Sequence, residues 1–485
     1  MNQDFKPTDN VRDAAIAYLC DTFFEIVHTD SQSMEKSEDL CIQEGHKLLS
    51  VAFAKALERY DKELCSHLPE GVHIHDIRSR SLATKMGDVT FGCRRCRDSA
   101  GNTVIPLADA LNIPWNARIS PAARLFLVNA GAEVSFARSA QLLFSAGGSY
   151  VSSTAVMSAV HRTGELCRAH DENLAKSLYE DGVLPDGDIE TKDICIESDG
   201  TWIKLQNASK DGPERVEIKA LVSYVGKETQ GAKTKRINPI HHGCVGSPSQ
   251  FWSQGVATIA DKFDLSKIEH AHFGCDGESF YKEGNKWLPI KTKSDTHLDP
   301  FHINRAILSC FPASEKKVAN NIIGAVIDGG VEGACALIEA AIEQGIAKQG
   351  ARRVVNYLRN NKDIIYTEGP SLGTMESEQQ HLYGARMDSV PCAWSIAGAD
   401  AMARIRSRKF SKRKFPTLTR LHSISSKRRI RVEKRQLEYL ESKIDTNVPM
   451  TVGKGTEAEH VASLAGCSAK VRYTAGIDSG MVGIG

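Results

Sequence analysis

The sequence predicts a mixed α/β core, interrupted by a helical insertion and preceded by a largely helical N-terminal region. Three observations carry this. Between Asp193 and Asp276 lie runs of apolar and β-branched residues, DICIESDGTWIKLQ, RVEIKALVSYVG, a short run near Pro239–Val245 and HAHFGCDGES, with a helical stretch around Phe251–Phe263 between the last two. Strands followed by a helix indicate a mixed sheet. From Phe301 to about Asn361 the text is almost wholly helical, most clearly in ANNIIGAVIDGGVEGACALIEAAIEQGIAKQGARRVVNYLRNN. Before Asp193 most of the chain has helical apolar spacing.

The bulk numbers bound the answer. A chain of 485 residues exceeds one ordinary domain and predicts two to four modules. With 41% hydrophobic and 25% charged residues it has material for real cores and lacks the composition of a disordered chain. The opening MNQDFKPTDN lacks the apolar core of a secretory signal, and no later stretch is apolar enough to span a bilayer. The 13 cysteines are scattered. Reduced thiols in a cytoplasmic compartment are the expectation.

Taken in order, residues 1–70 form an N-terminal helical region, where Leu48, Leu49, Ala52, Phe53, Ala56 and Leu57 share one face. Residues 71–118 hold a β-hairpin, GDVTFGCRRCRDSAGNTVIPL, turned by Asp98–Asn102. Residues 119–190 are helical, with a break at Gly147–Gly148 and a new helix capped by Ser152 or Ser153. That outline is a helix-turn-helix suited to DNA; the plainer alternative is a packed helical hairpin. The core follows at 191–300, the helical insertion at 301–372, the end of the core at 373–403, and a basic region with a glycine-rich tail at 404–485.

Two places share a design. Asp199-Gly200 follows ICIES, and Asp276-Gly277 follows HAHFGC. A carboxylate at or near a strand can hold a hard cation, and the bare glycine lets a phosphate or water approach. Asp-Gly is also a common turn dipeptide. A two-metal phosphoryl-transfer site needs a third acid, and GTMESEQQHLYGARMDSVPCAWS offers Glu376 and Glu378. Two residues apart on a helix, only one of them can face the metals, and position alone does not choose.

In this order, IESDGTWIKLQ with VEIK, FGCDGESFY, LDPFH and MESEQQHLYGARMDSVPCAWSIAGADAMARIR resemble the Lre-type insertion-sequence transposases, a bacterial family long filed as uncharacterised. The GDVTFGCRRCRD hairpin and the Ser149–Gly164 helix also fit, so the resemblance spans roughly residues 80 to 410. It implies a ribonuclease H-like DDE core with Asp199, Asp276 and Glu376 as catalytic and metal-binding residues. Glu376 is chosen because in the family the acid directly follows a small apolar residue, here Met375. The resemblance further implies Mg²⁺, with Mn²⁺ as a substitute, cleavage of DNA at element ends, strand transfer into target DNA, and a homo-oligomer on DNA. The alternatives are a ribonuclease H-like junction nuclease and a non-catalytic DNA-binding protein derived from a transposase.

His302 in LDPFHINR is a candidate beside the active site or an ordering residue at a helix start, and Asp299 is a helix-start acid. Trp394 could stack on an unpaired base but fits a core position better, and Arg386 could hold a phosphate. Cys93-x-x-Cys96 is a zinc half-site only with outside partners such as His73 and His75, and within a strand the two cysteines should point to opposite faces. The run Arg404, Arg406, Arg408, Lys409, Lys412, Arg413, Lys414, Arg420, Lys427, Arg428, Arg429, Arg431, Lys434 and Arg435 holds Glu433 alone as an acid, and predicts contact with DNA phosphates.

Overall fold

The computed structural model describes residues 9–30, 33–206, 212–231, 233–365, 369–370, 372–373, 375–388, 392–416 and 428–429. The chain forms two compact units, Met1–Ala159 and Val160–Gly485.

The first unit begins with helices α1 (Asp9–Glu25) and α2 (Met34–Cys65), the latter capped by Ser33, whose hydroxyl accepts from Lys36 N–H. Strands β1 (His73–Thr84), β2 (Gly87–Arg97) and β3 (Thr103–Val104) make an antiparallel sheet in that order. The β2–β3 hairpin turns where the sequence indicates, with Asp98 Oδ1 accepting from Asn102 N–H at 2.7 Å. The long partner β1 was not expected. Its HIHDIRSRSLAT text is exposed over most of its length, so apolar alternation is missing. Arg95 and Asp76 instead pair across the strands at 2.6 Å. A bulge between Ile74 and Asp76 shifts the register beside Cys96. Cys93 and Cys96 are both buried and both turn toward α2, Cys93 to Asp61 and Cys96 to Cys65, against the expectation of opposite faces.

Helices α3 (Pro106–Ala110), α4 (Pro121–Gly131) and α5 (Phe136–Gly147) follow, and Gly148 ends α5 with φ 72°. Ser152 caps α6 (Ser153–Tyr179), its hydroxyl accepting from Ala155 N–H at 3.1 Å. Leu127, Leu143, Val151 and Val156 make the local core that holds α4, α5 and the start of α6 together.

The second unit is built on a five-stranded sheet. Its strands are β5 (Asp193–Lys204), β6 (Arg215–Tyr224), β9 (Ile240–Cys244), β10 (His270–Cys275) and β11 (Lys293–Leu298). Their spatial order is β11-β10-β5-β6-β9. Strands β5, β6 and β9 pair antiparallel, whereas β10 runs parallel to both β5 and β11. Two small ribbons lie outside this sheet: β7 (Gly226–Gln230) with β8 (Lys233–Ile237), and β4 (Val183–Leu184) with β12 (Arg428–Arg429). Strand β11 and the β7–β8 hairpin were not expected, because KSDTHL and GKETQ are polar and lack apolar alternation.

One face of the sheet carries Ile194, Ile196, Ala271 and Phe273 and packs on α7 (Pro248–Ala260) through Phe251, Trp252, Val256 and Ile259. Helix α7 starts on a capping box between Ser247 and Gln250, with Pro248 in its first turn. Each such large side chain stabilises by about 1.5–3 kcal/mol when fully buried. After β10 comes the short helix α8 (Ser279–Lys282). The helical block after β11 consists of α9 (Pro300–Ser309), α10 (Lys316–Glu343, broken at Gly330 where φ is 75°) and α11 (Ala351–Asn360). It has its own core of Ile303, Ile307, Ile338, Val355 and Leu358. The chain then enters α12 (Met375–Gln379), α13 (Ala385–Met387) and α14 (Ile396–Phe410).

Helix α14 corrects the reading of the basic run. Arg404, Arg406 and Arg408 are buried, not displayed to DNA. Arg404 pairs with Asp400 at 3.0 Å and with Asp171 at 2.9 Å, and Arg408 reaches Asp171 at 2.5 Å. Arg406 donates to the carbonyls of Leu382 and His381. The reason is packing on two sides: α14 lies on β9 and β6, and it meets α6 where a Cβ on Gly164 would stand 2.3 Å from Ala401 Cβ. Arg413 faces Asp261 at 3.5 Å and is likewise turned inward. Lys409 is half-buried, whereas Lys412 and Lys414 are exposed. Lys427 and most of the rest of the run lie outside the described residues. Arg428 and Arg429 are described only as the backbone of β12.

Removing one partner from a buried ion pair strands the other charge. Asp171→Ala should therefore lower stability by about 3–5 kcal/mol in urea unfolding, against less than about 0.5 for Lys412→Ala. Equal, small effects would contradict an interior position for Arg404 and Arg408.

Candidate acidic centre

The register of β10 on β5 sets the centre. Gly274 pairs with Glu197, and two residues further along each parallel strand come Asp276 and Asp199, on the same face. Asp199-Gly200 is no turn: it lies within β5, with Asp199 opposite Ala220 and Gly200 opposite Lys219. A Cβ at Gly200 would stand 2.2 Å from Glu217 Oε1, so the glycine makes room for that carboxylate. Asp276-Gly277 does leave the strand, with Gly277 at φ 95°. The Asp276 carboxylate accepts from Glu278 N–H at 2.8 Å, and Tyr357 of α11 donates its hydroxyl to the Asp276 carbonyl at 2.9 Å.

Both aspartates are buried. Burial, then the charge of Asp199, pushes Asp276 up to about 7. Glu278 is pushed up to about 9 by burial and by the charges of Asp276 and Glu217. His302 of α9 stands by, with Nε2 3.8 Å from Asp199 Oδ2. Burial favours its neutral ring, but Asp199, Asp276 and Asp299 together hold it up at about 9. Its Nδ1 is buried without a hydrogen-bond partner. Asp299 caps α9, accepting from Phe301 N–H at 2.8 Å. Behind the sheet, Lys219 donates to Glu217 at 2.7 Å and Tyr281 donates to Glu217 at 3.1 Å.

Glu197 links this strand to the third element. It accepts from the Tyr224 hydroxyl at 2.5 Å and from Gly373 N–H at 2.9 Å. A Cβ at Gly373 would stand 2.7 Å from Asp299 Oδ1, so only a glycine lets the chain pass there. Two residues on, α12 begins and packs on β5 and β6. Glu376 lies in α12, and its side chain is outside the described residues. Glu378 is bonded elsewhere: it accepts from His241 Nε2 at 2.7 Å and pairs with Arg236. Despite burial, these partners hold it down at about 2.

The remaining candidates have structural roles. Trp394 is buried and donates Nε1–H to the Met387 carbonyl at 3.0 Å, while buried Arg386 lies over its ring at 5.0 Å. Cys93 faces Asp61 with its thiol pushed up to about 12 by burial and by that carboxylate, whereas His73 and His75 are exposed. Sequence reasoning missed Glu278 as a member of the centre and Glu217–Lys219 as its backing. The available signal was VEIK, where two charges alternate in an otherwise apolar strand.

The sheet and its paired carboxylates define an α/β protein with a buried acidic centre. The chain belongs to the family described as "Uncharacterised protein family (UPF0236)", which matches residues 28–415. It is similar to "UPF0236 protein TTE0402" of Caldanaerobacter subterraneus, at 26% identity over 67% of this chain and 63% of that protein. The chain thus spans less than two thirds of that relative. It is also similar to a "UPF0236 protein in vanSb 3'region" of Streptococcus gallolyticus, at 25% identity over 73% of this chain and 78% of that protein. Among the described residues no helix is long and apolar enough to cross a membrane.

The raised groups set a pH dependence for the metal-free protein. Asp276 folds with its pKa above the unfolded value near 3.9, so its contribution is full below that pH and is lost as pH rises through about 7. His302 adds stability below about 6.5 that is lost through about 9. The melting temperature in chelator should fall from pH 5 to pH 8, less steeply in Asp276→Asn. Equal slopes in both proteins would exclude the coupled pair as the source.

Proposed function

We propose that this chain is a DDE-type transposase with a ribonuclease H-like core, cleaving DNA at insertion-sequence ends and joining it to target DNA. The observation that carries the reading is the pair of buried carboxylates, Asp199 within β5 and Asp276 just past the end of the adjacent parallel strand β10. The mixed sheet, three antiparallel strands extended by two parallel ones, supports the ribonuclease H-like reading. The helical block before α12 accords with a DDE core whose last acid follows an insertion. One relative from C. subterraneus is named for eleven loci, and repetition within a genome is what a mobile element produces.

The residues fit a hard divalent cation. Two buried carboxylates share one centre, with His302 Nε2 3.8 Å from Asp199 and a proton retained on Asp276 up to about pH 7. Added positive charge there would relieve their repulsion. Asp199, Asp276 and Glu376 would hold Mg²⁺, or Mn²⁺ in its place, and the bound ion supplies Lewis acidity toward the phosphate and an activated water. The chain itself positions and shields. Tyr357 fixes the Asp276 loop, Glu197 and Asp299 fix the approach to Glu376, and α7 closes the far face to solvent. His302 holds a proton beside Asp199. The partners are then element ends and target DNA, with a homo-oligomer joining two ends. Exposed Lys412 and Lys414 are available for phosphates.

The test is cleavage of labelled DNA taken from the flanks of the gene. Wild type should nick it with Mg²⁺ or Mn²⁺. Asp199→Asn, Asp276→Asn and Glu376→Gln should each lose at least about 100-fold in rate while still binding DNA. Glu378→Gln should cut normally once corrected for stability. Binding without cleavage under both metals would favour a non-catalytic DNA-binding protein, and cleavage without joining a junction nuclease.

A further inference from the structure

A second cluster of ligating side chains lies on the same face of the sheet, at the other end of β10 and β11. His270 and His272 alternate on β10, and Asp295 and His297 alternate on β11. The register puts His272 directly opposite Asp295. Residues 272 and 276 are roughly 13 Å apart along the strand, so this is separate from the acidic centre.

Three imidazoles converge on one carboxylate. His272 Nδ1 lies 2.9 and 3.1 Å from the two Asp295 oxygens, and His297 Nε2 lies 2.9 Å from Oδ1. His270 Nε2 lies 3.0 Å from Oδ2 but is buried without a properly aligned hydrogen bond. The ligand atoms of His272, Asp295 and His297 all lie within 4.8 Å of one another. One ion with bonds of about 2.0–2.2 Å spans such a set. His272 and His297 are largely buried, so the donors are preset within the fold.

We propose that His272, Asp295 and His297 bind a zinc-like transition-metal ion, with His270 beside it as the nearest further imidazole. The donor set separates it from the acidic centre: two imidazole nitrogens and one carboxylate suit Zn²⁺, Co²⁺ or Ni²⁺, whereas an all-oxygen centre suits Mg²⁺ or Mn²⁺. Outer partners are present too. Asp193 Oδ1 is 3.9 Å from His272 Nε2, so the ring's other nitrogen has a carboxylate nearby to orient it.

The location gives the ion a role. Gly369 passes over the cluster, with φ 148°, where a Cβ would stand 2.9 Å from His297 Cε1 and 3.6 Å from His272 Nδ1. A bound ion would clamp β10 to β11 beneath this stretch of chain, a few residues ahead of α12. It is a structural pin for the approach to the third acid, not part of the chemistry, and it holds whether or not the protein cuts DNA.

The test uses the full chain, freed of metal by chelation and titrated with Co²⁺ in millimolar Mg²⁺ while its visible absorption is followed. Wild type should take up about one equivalent at micromolar affinity or tighter, displaced by Zn²⁺. His272→Ala/His297→Ala should bind at least about tenfold more weakly, whereas Asp199→Asn/Asp276→Asn should bind as wild type does. Wild type that takes up neither Co²⁺ nor Zn²⁺ would overturn the proposal, and that arm holds even if the histidine variant fails to fold. Loss of the equivalent in the aspartate variant alone would overturn it as well, by assigning the ion to the acidic centre.

Discussion

The parallel pairing of β10 on β5, in the register that sets Gly274 against Glu197, is the constraint on which the rest of the second unit depends. Side chains alternate along a strand, so a slip of one residue would send Asp276 to the apolar face and bring Cys275 into its place. The core opposes that slip, because Ile194, Ile196, Ala271 and Phe273 must all meet α7 together. Apolar packing on one side thus fixes the placement of charge on the other. Placing two carboxylates side by side is costly, and the molecule tolerates it with a protonated histidine and a retained proton.

The same unit handles buried charge in four ways. Around α14, Arg404 and Arg408 offset Asp171 and Asp400 within one set of contacts, and His242 beside them is held neutral, its pKa down to about 3. Behind the sheet, Lys219 offsets Glu217 directly. At the acidic centre the negative groups outnumber the positive ones in contact with them, and this imbalance is the physical basis for reading a cation there. At the histidine cluster Asp295 is held low, against its burial, by the imidazoles around it. Only the last two leave donor atoms arranged about a common point.

The two aspartates were legible because a carboxylate followed by glycine after an apolar run is a compact signal. That signal concealed a difference: Gly277 permits a turn, whereas Gly200 stays in the strand and clears space for Glu217. The choice between Glu376 and Glu378 could not be made from spacing. Glu378 is bonded to Arg236 and His241, both reached only across the fold. The basic run was misread at Arg404, Arg406 and Arg408 for a related reason. Asp171, the partner of Arg404 and Arg408, lies on α6, more than two hundred residues away in the chain, and Arg406 is held by the Leu382 and His381 carbonyls.

By itself the sequence determined the mixed α/β class, the helical block after residue 300, the five main strands' apolar members β5, β6, β9 and β10, and two acids of the centre. These rest on periodicity and turn chemistry, which are local properties of the chain. Tertiary structure decided where β1 and β11 run, which arginines are interior, which glutamate of α12 is already bonded, and that four histidine and aspartate side chains of β10 and β11 meet. Each of those depends on pairing between segments distant in sequence. A polar residue on a strand or helix reads the same locally whether its partner is water or a buried opposite charge.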